Sequence, residues 1–363
     1  MNIILKLFFF FSGTFISTIL IIKVLFGFAK SLGIRGNNNT ELRWNAQAKP
    51  SLGGIAIFLS VFTSIFTYLV THPTENIFSN AGFVLFFIGM CLAFFMGLTD
   101  DAFDTRPWFK LIMQILCGTL IVCSNNTIPF SSYFALNAFV TVLWVVGLMN
   151  SLNMLDNMDG ITGSVANAIF VVLFLTSILF CCNILDIYIF IIIGFIGAIF
   201  GFLIFNRPPS KLFMGDSGSQ LIGYVVAFFS IHIIWNFKGD IEISFWGKSI
   251  ILMLVFSIPF IDTFSVVFNR IRKGNSPAKG GKDHTTHHLV YYGFSEFKVW
   301  VFYSLCSLVF AGLGFFMLFL QIQGYRYWTL LMVIPFLALF YFLFRLTHVH
   351  HAHIPKETKN DSF

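Results

Sequence analysis

Ile187-Tyr-Ile-Phe-Ile-Ile-Ile-Gly-Phe-Ile-Gly-Ala-Ile-Phe-Gly-Phe-Leu-Ile-Phe205 runs straight into Asn206-Arg-Pro-Pro-Ser-Lys-Leu-Phe-Met-Gly-Asp-Ser-Gly-Ser219. The first stretch has no charge and about the 20 apolar residues that a helix needs to cross a bilayer core. The second is charged, broken by a proline pair and supplied with glycines, so it belongs in a connector. This alternation recurs along all 363 residues. The composition agrees: 57% hydrophobic, 18% aromatic and only 10% charged, against roughly 25% charged in a soluble domain. A water-soluble globular protein is excluded, as are a disordered chain, a collagen-like one and a disulfide-stapled scaffold. Cys91, Cys117, Cys123, Cys181, Cys182 and Cys306 fall in or beside apolar runs and form no C-x-x-C pair, so they read as small buried hydrophobes. The first apolar run continues through Ile22 with no small-residue cleavage site before Lys23, which makes it a first membrane helix rather than a cleavable leader.

Uncharged runs occur at about 3–26, 53–71, 81–98, 109–123, 132–149, 164–182, 187–205, 219–237, 249–268, 299–322 and 327–344. They predict an all-α polytopic membrane protein with about eleven transmembrane helices, or ten if the short fourth run, with Lys110 at its start, does not cross. No internal repeat points to an inverted-repeat transporter. Seventeen Lys and Arg follow odd-numbered runs and three follow even-numbered ones, so the positive-inside rule places the odd loops and the C-terminus in the cytoplasm and the N-terminus outside. The net charge of +6 then reads as loops facing anionic headgroups rather than as a nucleic-acid surface. Residues 1–346 form one membrane domain and 347–363 a cytoplasmic tail whose His348, His350, His351 and His353 read as composition rather than as a site.

Every unusual polar cluster lies on an odd loop. Asp100 and Asp101 close the third run, with Asp104 one turn on; an adjacent carboxylate pair suits a cation or a proton, although a solvated helix end is the plainer reading. Asn150, Asn153, Asp156 and Asp159 recur every three residues, so a continuing helix would align them in one stripe suited to Mg2+ or a polar substrate. Asp216, Ser217 and Ser219, beside Gly215 and Gly218, open an apolar helix where phosphate oxygens would be welcome; Asp216 could equally be a simple cap. Arg270, Arg272, Lys273, Lys279 and Lys282 precede Asp283-His-Thr-Thr-His-His288, a basic loop for phosphates, with headgroup attraction as the plainer account and zinc disfavoured by the hard-oxygen clusters. Asp262 sits at membrane depth and implies a buried partner.

Lys49-Pro-Ser-Leu-Gly-Gly54, Asp100-Asp101, Asn150 to Gly160, Pro209 to Ser219, Asp262-Thr263, Arg270, Ser276-Pro277 and His284 to His288 occur in the order that resembles the polyprenyl-phosphate N-acetylhexosamine-1-phosphate transferases. The resemblance covers almost the whole chain except the tail. It implies an inner-membrane enzyme with a cytoplasmic site that uses Mg2+, or Mn2+ in its place. That enzyme would move N-acetylhexosamine 1-phosphate, GlcNAc-1-phosphate first, from a UDP-sugar to undecaprenyl phosphate, releasing UMP and initiating a cell-wall or polysaccharide glycan. Carried over by position, Asp216 and Asn153 become metal ligands; Asp100, Asp101, Asp156 and Asp159 catalytic carboxylates; and Lys49, Asn150, Lys211, Ser217, Arg270, His284, His287 and His288 substrate-binding groups. Its partners are the two substrates and membrane lipids, not nucleic acid, with a homodimer left open. This chain departs from the family pattern at Asp156-Asn-Met-Asp-Gly160 and at His284-Thr-Thr-His-His288. The alternatives are the related UDP-MurNAc-pentapeptide transferase and, from another class, an ion-coupled transporter. A transporter would put its carboxylates near the midplane, where only Asp262 lies.

Overall fold

The computed structural model describes residues 3–31, 49–73, 76–180, 186–239, 241–277, 280–325 and 327–348. Lys279 and the tail residues His350, His351 and His353 lie outside the described residues. Among those described the fold is all-helical: α1 (Ile3–Ser31), α2 (Gly53–Thr71), α3 (Ala81–Phe103), α4 (Pro107–Cys123), α5 (Phe134–Leu155), α6 (Ile161–Phe180), α7 (Asp186–Asn206), α8 (Asp216–Phe229), α9 (Phe245–Val255), α10 (Ser257–Arg272), α11 (Thr285–Tyr291), α12 (Glu296–Ile322) and α13 (Trp328–Leu346). A π turn, Ser230–Trp235, prolongs α8.

Local chemistry sets the helix starts. Asn80 accepts from the Phe83 amide at 3.0 Å and Ser244 from the Gly247 amide at 3.1 Å, while α4 opens on Pro107, whose missing N–H would have had no helical partner there.

Among the described residues, nine helices are long and apolar enough to span a membrane. The expected ninth span is instead two helices, α9 and α10, bent by 83°. Phe256 separates them, and Pro259 in the first turn of α10 has no amide with which to continue α9. Helix α4 is shorter, at 17 residues. The polar ends also extend further than the uncharged runs: α3 takes in Asp100 and Asp101, α5 takes in Asn150 and Asn153, and α8 begins at Asp216.

Helix α8 is the buried axis of the bundle, enclosed along its length. Glycines allow its neighbours to approach: a Cβ on Gly54 of α2 would lie 2.2 Å from the Gly218 nitrogen, and one on Gly97 of α3 would lie 2.3 Å from the Asp216 carbonyl oxygen. Without a hydrophobic drive in lipid, such close backbone contact is what associates helices. Buried hydroxyls add hydrogen bonds, as where Thr18 Oγ1 of α1 donates to Ser60 Oγ of α2 at 2.8 Å. By contrast α1, α12 and α13 expose many large side chains, among them Phe8, Phe28, Leu305, Leu330 and Tyr341. On a polytopic chain these belong against lipid tails.

The connector before α8 is zipped to the start of α2. Phe213 N donates to Pro50 O at 3.0 Å, Gly53 N to Phe213 O at 3.0 Å and Gly54 N to Met214 O at 2.8 Å, with one parallel bridge between Ser51 and Phe213. The two motifs at 49–54 and 209–219 therefore form one structure at the end of the bundle where α3, α5 and α7 finish and α4 and α8 start.

Candidate active site

The polar clusters meet around the first turn of α8. Asp101, near the end of α3, accepts from the Asp216 amide at 2.9 Å through Oδ1 and from the Ser217 amide at 3.0 Å through Oδ2. Gly215 has φ +78°, and a Cβ there would lie 2.6 Å from Asp101 Oδ2, so glycine is what admits this carboxylate. The helix start that the sequence offered to phosphate thus has two of its amides engaged by Asp101.

Lys110, in the first turn of α4, donates to Asp216 Oδ2 at 2.8 Å and pairs with Asp100 Oδ2. The other Asp100 oxygen accepts from the Thr105 amide at 2.9 Å and from Thr105 Oγ1 at 2.5 Å. Asn153 Nδ2 donates to Ser219 Oγ at 3.0 Å, one turn along α8 from Asp216. One turn deeper still, at Lys110+4, Asn153−3 and Asp216+4, lie Gln114, Asn150 and Gln220. Asn150 Nδ2 donates to Gln114 Oε1 at 2.8 Å, and Gln114 Nε2 donates to Gln220 Oε1 at 3.1 Å. Asn150 is therefore part of an amide network beneath the carboxylates.

The rest of the predicted stripe fastens neighbouring segments. Asp156 caps the C-terminus of α5. Asp159 is buried; its Oδ2 accepts from the Ser210 amide at 2.9 Å and from Lys49 Nζ at 3.3 Å, while Lys49 also donates to Ser210 Oγ at 3.0 Å and lies 5.2 Å from the Phe213 ring centroid. Gly160 N donates to Asn206 Oδ1 at 2.9 Å. This second cluster closes the connector onto α5. Ser217 is buried with its Oγ against Gly54, and Lys211 is exposed.

The third cluster is built on Asp262 of α10. Its Oδ2 bonds His284 Nδ1 at 2.8 Å, and its Oδ1 accepts from the Thr285 amide at 2.9 Å and from Thr285 Oγ1 at 2.6 Å; Tyr303 OH donates to Thr285 Oγ1 at 2.7 Å. The buried charge expected to have a partner orients an imidazole and caps α11. Arg270 grips Asp283 with Nε at 2.8 Å and Nη2 at 2.6 Å and donates from Nη1 to Pro277 O at 2.9 Å, so its guanidinium organises the basic loop. Burial works against the Asp283 charge, yet Arg270 outweighs it and holds the carboxyl below its ordinary range. Burial drives the His287 imidazole down to about 3, helped by the nearby His284. His287 is thus neutral at physiological pH. Its ring centroid is 5.4 Å from that of His284, and His288 is 5.7 Å from Tyr291. Thr286 Oγ1 donates to Asn157 Oδ1 at 2.7 Å, which ties α11 to the end of α5.

Asp100, Asp101, Asp216, Asn153 and Asn150 come together directly. Lys49 with Asp159, and Arg270 with His284 to His288, form separate clusters joined to the first through α5. Lys110, Gln114, Gln220 and Thr105 were missed, although a lone Lys opening an apolar run was visible as a charge with no reason to be there except orientation. The family resemblance implies a divalent ion. Two carboxylates on one ammonium, with Asp101 close behind on the amides of α8, leave an excess of negative charge built from hard oxygens, which fits Mg2+ or Mn2+. Among the described residues, however, no three His, Cys, Asp or Glu side chains converge as a ready-made cage.

Residues 83–234 match the family model described as "Glycosyl transferase family 4". That match covers 152 of the 363 residues. The chain is similar to the "Probable undecaprenyl-phosphate N-acetylglucosaminyl 1-phosphate transferase" of Bacillus subtilis (strain 168), at 25% identity over 68% of this chain and 67% of that protein. The "Undecaprenyl-phosphate alpha-N-acetylglucosaminyl 1-phosphate transferase" of Escherichia coli (strain K12) is 24% identical over 79% of this chain and 77% of its own length. A "Phospho-N-acetylmuramoyl-pentapeptide-transferase" of Latilactobacillus sakei subsp. sakei (strain 23K) is 28% identical over 74% and 86%. The family match takes in α3 to α8 and so the whole Asp100–Lys110–Asp216 cluster. With nine helices of membrane-crossing character among its described residues, the chain reads as a multi-pass membrane protein that is similar to these transferases.

Proposed function

We propose that the protein transfers N-acetylhexosamine 1-phosphate, GlcNAc-1-phosphate first, from a UDP-sugar to undecaprenyl phosphate at the cytoplasmic face of the inner membrane, releasing UMP. The observation that carries this reading is the convergence of Asp100, Asp101, Asp216 and Asn153 with Lys110 at the start of α8. The activities for which the Bacillus and Escherichia relatives are named support it.

Both reactants are phosphorylated and repel each other, so catalysis here is mainly positioning and charge neutralisation. Asp216, Asp100 and Asn153 would hold Mg2+, and such an ion would supply that neutralisation. Asp101 fixes the first turn of α8 and so the direction in which Asp216 points. Asp159 and Lys49 hold the connector 206–214 against α5, while Asp262 orients His284 beside the basic loop that faces the anionic substrates. The reacting oxygen belongs to a lipid phosphate already ionised at neutral pH, so no side chain has to remove a proton from it.

The Latilactobacillus relative favours a second reading, a UDP-MurNAc-pentapeptide donor. Radiolabelled UMP release by purified protein from UDP-GlcNAc, its epimer UDP-GalNAc and UDP-MurNAc-pentapeptide, with undecaprenyl phosphate and Mg2+, decides between them. We expect UDP-GlcNAc to be turned over and EDTA to stop the reaction. Turnover of the pentapeptide donor alone establishes the second reading, and release from none of them defeats both.

A further inference from the structure

Lys110 contacts two carboxylates that the sequence keeps far apart, Asp100 of α3 and Asp216 of α8. The oxygens it engages, Asp100 Oδ2 and Asp216 Oδ2, belong to the donors that would suit a hard dication, so ammonium and metal cannot both hold them. Asp101 does not relieve this competition, because both of its oxygens accept amides of α8. Nor does Asn153: with its Nδ2 bonded to Ser219 it can offer a metal only its amide oxygen, a neutral donor that replaces neither carboxylate. The Lys110 side chain is 24% exposed, and its four-carbon stem is flexible enough for the head to swing out while the helix stays in place.

The geometry points to Lys110 as a tethered stand-in cation: it holds Asp100 and Asp216 together while no metal is present, and an entering divalent ion displaces it from between them. This rests on the proposed function only in requiring that a divalent ion binds here. Its consequence is specific. A lysine that merely builds the site should strengthen metal binding, whereas a lysine that fills the metal's place should weaken it.

The test uses Mn2+ as a spin probe on the full chain in detergent, with free Mn2+ read by electron paramagnetic resonance. Lys110→Met is expected to bind Mn2+ at least about tenfold more tightly than the unmodified protein, since a unit charge a few ångströms away acts strongly at low effective dielectric. Lys110→Gln should shift in the same direction, and Lys298→Met, an exposed charge loss outside the site, should not change affinity. Asp216→Asn should abolish the tight site. Because Lys110→Met leaves two carboxylates uncompensated and can fold poorly, the thermal midpoint is followed as well, and Mn2+ should raise it more in Lys110→Met and Lys110→Gln than in the unmodified protein. Equal or weaker Mn2+ binding in both variants overturns the displacement while leaving the proposed reaction standing. Absence of Mn2+ binding in every form overturns it together with the metal requirement.

Discussion

Asp101 and Asp216 are both carboxylates at one helix start, yet their partners give them different work. Asp101 accepts two backbone amides, while Asp216 faces Lys110 and the side of the cluster where substrate phosphates would arrive. Asp216→Asn keeps the shape but removes a charge-bearing ligand. UMP release should fall by about two orders of magnitude or more with the thermal midpoint little changed; near-full turnover at saturating Mg2+ would exclude Asp216 as the ligand. His287 gives a prediction with a sign. Its folded value of about 3 lies below the ordinary histidine value of roughly 6.5, so the unfolded chain binds a proton there that the folded chain refuses. Stability from this group is complete above about pH 6.5 and is lost as acid is added toward 3. His287→Gln should therefore lose less thermal midpoint between pH 7.5 and 5 than the unmodified protein; equal losses in both would show that His287 is not the group responsible. The residue types of the site were legible because Asp, Asn and Gly are rare enough in an apolar chain to stand out. Their partnerships were not: Lys110 with Asp216 and Asp101 with Ser217 are contacts across more than a hundred residues, which no local spacing encodes.

At the scale of elements, the glycines on α2 and α3 decide how near the carboxylates come to α8. Gly97→Ala would place a carbon 2.3 Å from the Asp216 carbonyl oxygen, a backbone atom that cannot turn aside. The helices must part, at a cost of about 1–3 kcal/mol, and Asp100 and Asp101 move with α3. Thermal midpoint and UMP release should both drop, whereas Gly147→Ala, with nothing within 4 Å, should leave both unchanged. A second expectation concerns the amide network behind the site. Gln114→Leu strips the buried Gln220 of its donor and leaves Asn150 only the Val146 carbonyl, costing about 1–3 kcal/mol, while Gln114→Glu or Gln114→Asn should restore part of the loss in a melting series if hydrogen bonding rather than volume matters. Each apolar run holds helix, as the runs alone predict, but the short α11 in the His loop lies outside all of them. Helix ends were not legible, because α3, α5 and α8 extend into polar residues that tertiary partners satisfy, and the break between α9 and α10 was signalled only by Pro259, which a hydropathy window averages away.

Across the whole molecule, all three clusters occupy the end of the bundle that carries most of the Lys and Arg, which the positive-inside rule assigns to the cytoplasm. Single cysteines at Ser276 and Ser131, in a background lacking the six native cysteines, should label oppositely with an impermeant thiol reagent in intact cells: Ser131→Cys reactive, Ser276→Cys protected. The reverse pattern would invert the topology and remove the site from cytosolic UDP-sugars. The clamp on α8 also bears on how such a chain is made. Asp100 and Asp101 leave the ribosome more than a hundred residues before the amides and carboxylate of Asp216 exist, so through the synthesis of α4 to α7 two acidic groups wait at the membrane boundary. Lys110 is only ten positions downstream of Asp100 and is available almost at once. The pair can neutralise itself locally while the bundle is incomplete and later receive Asp216 as a third member. Biogenesis of the protein would then depend on the same ammonium that its resting site contains, so Lys110→Met should lower the yield of membrane-inserted protein more than Lys298→Met does.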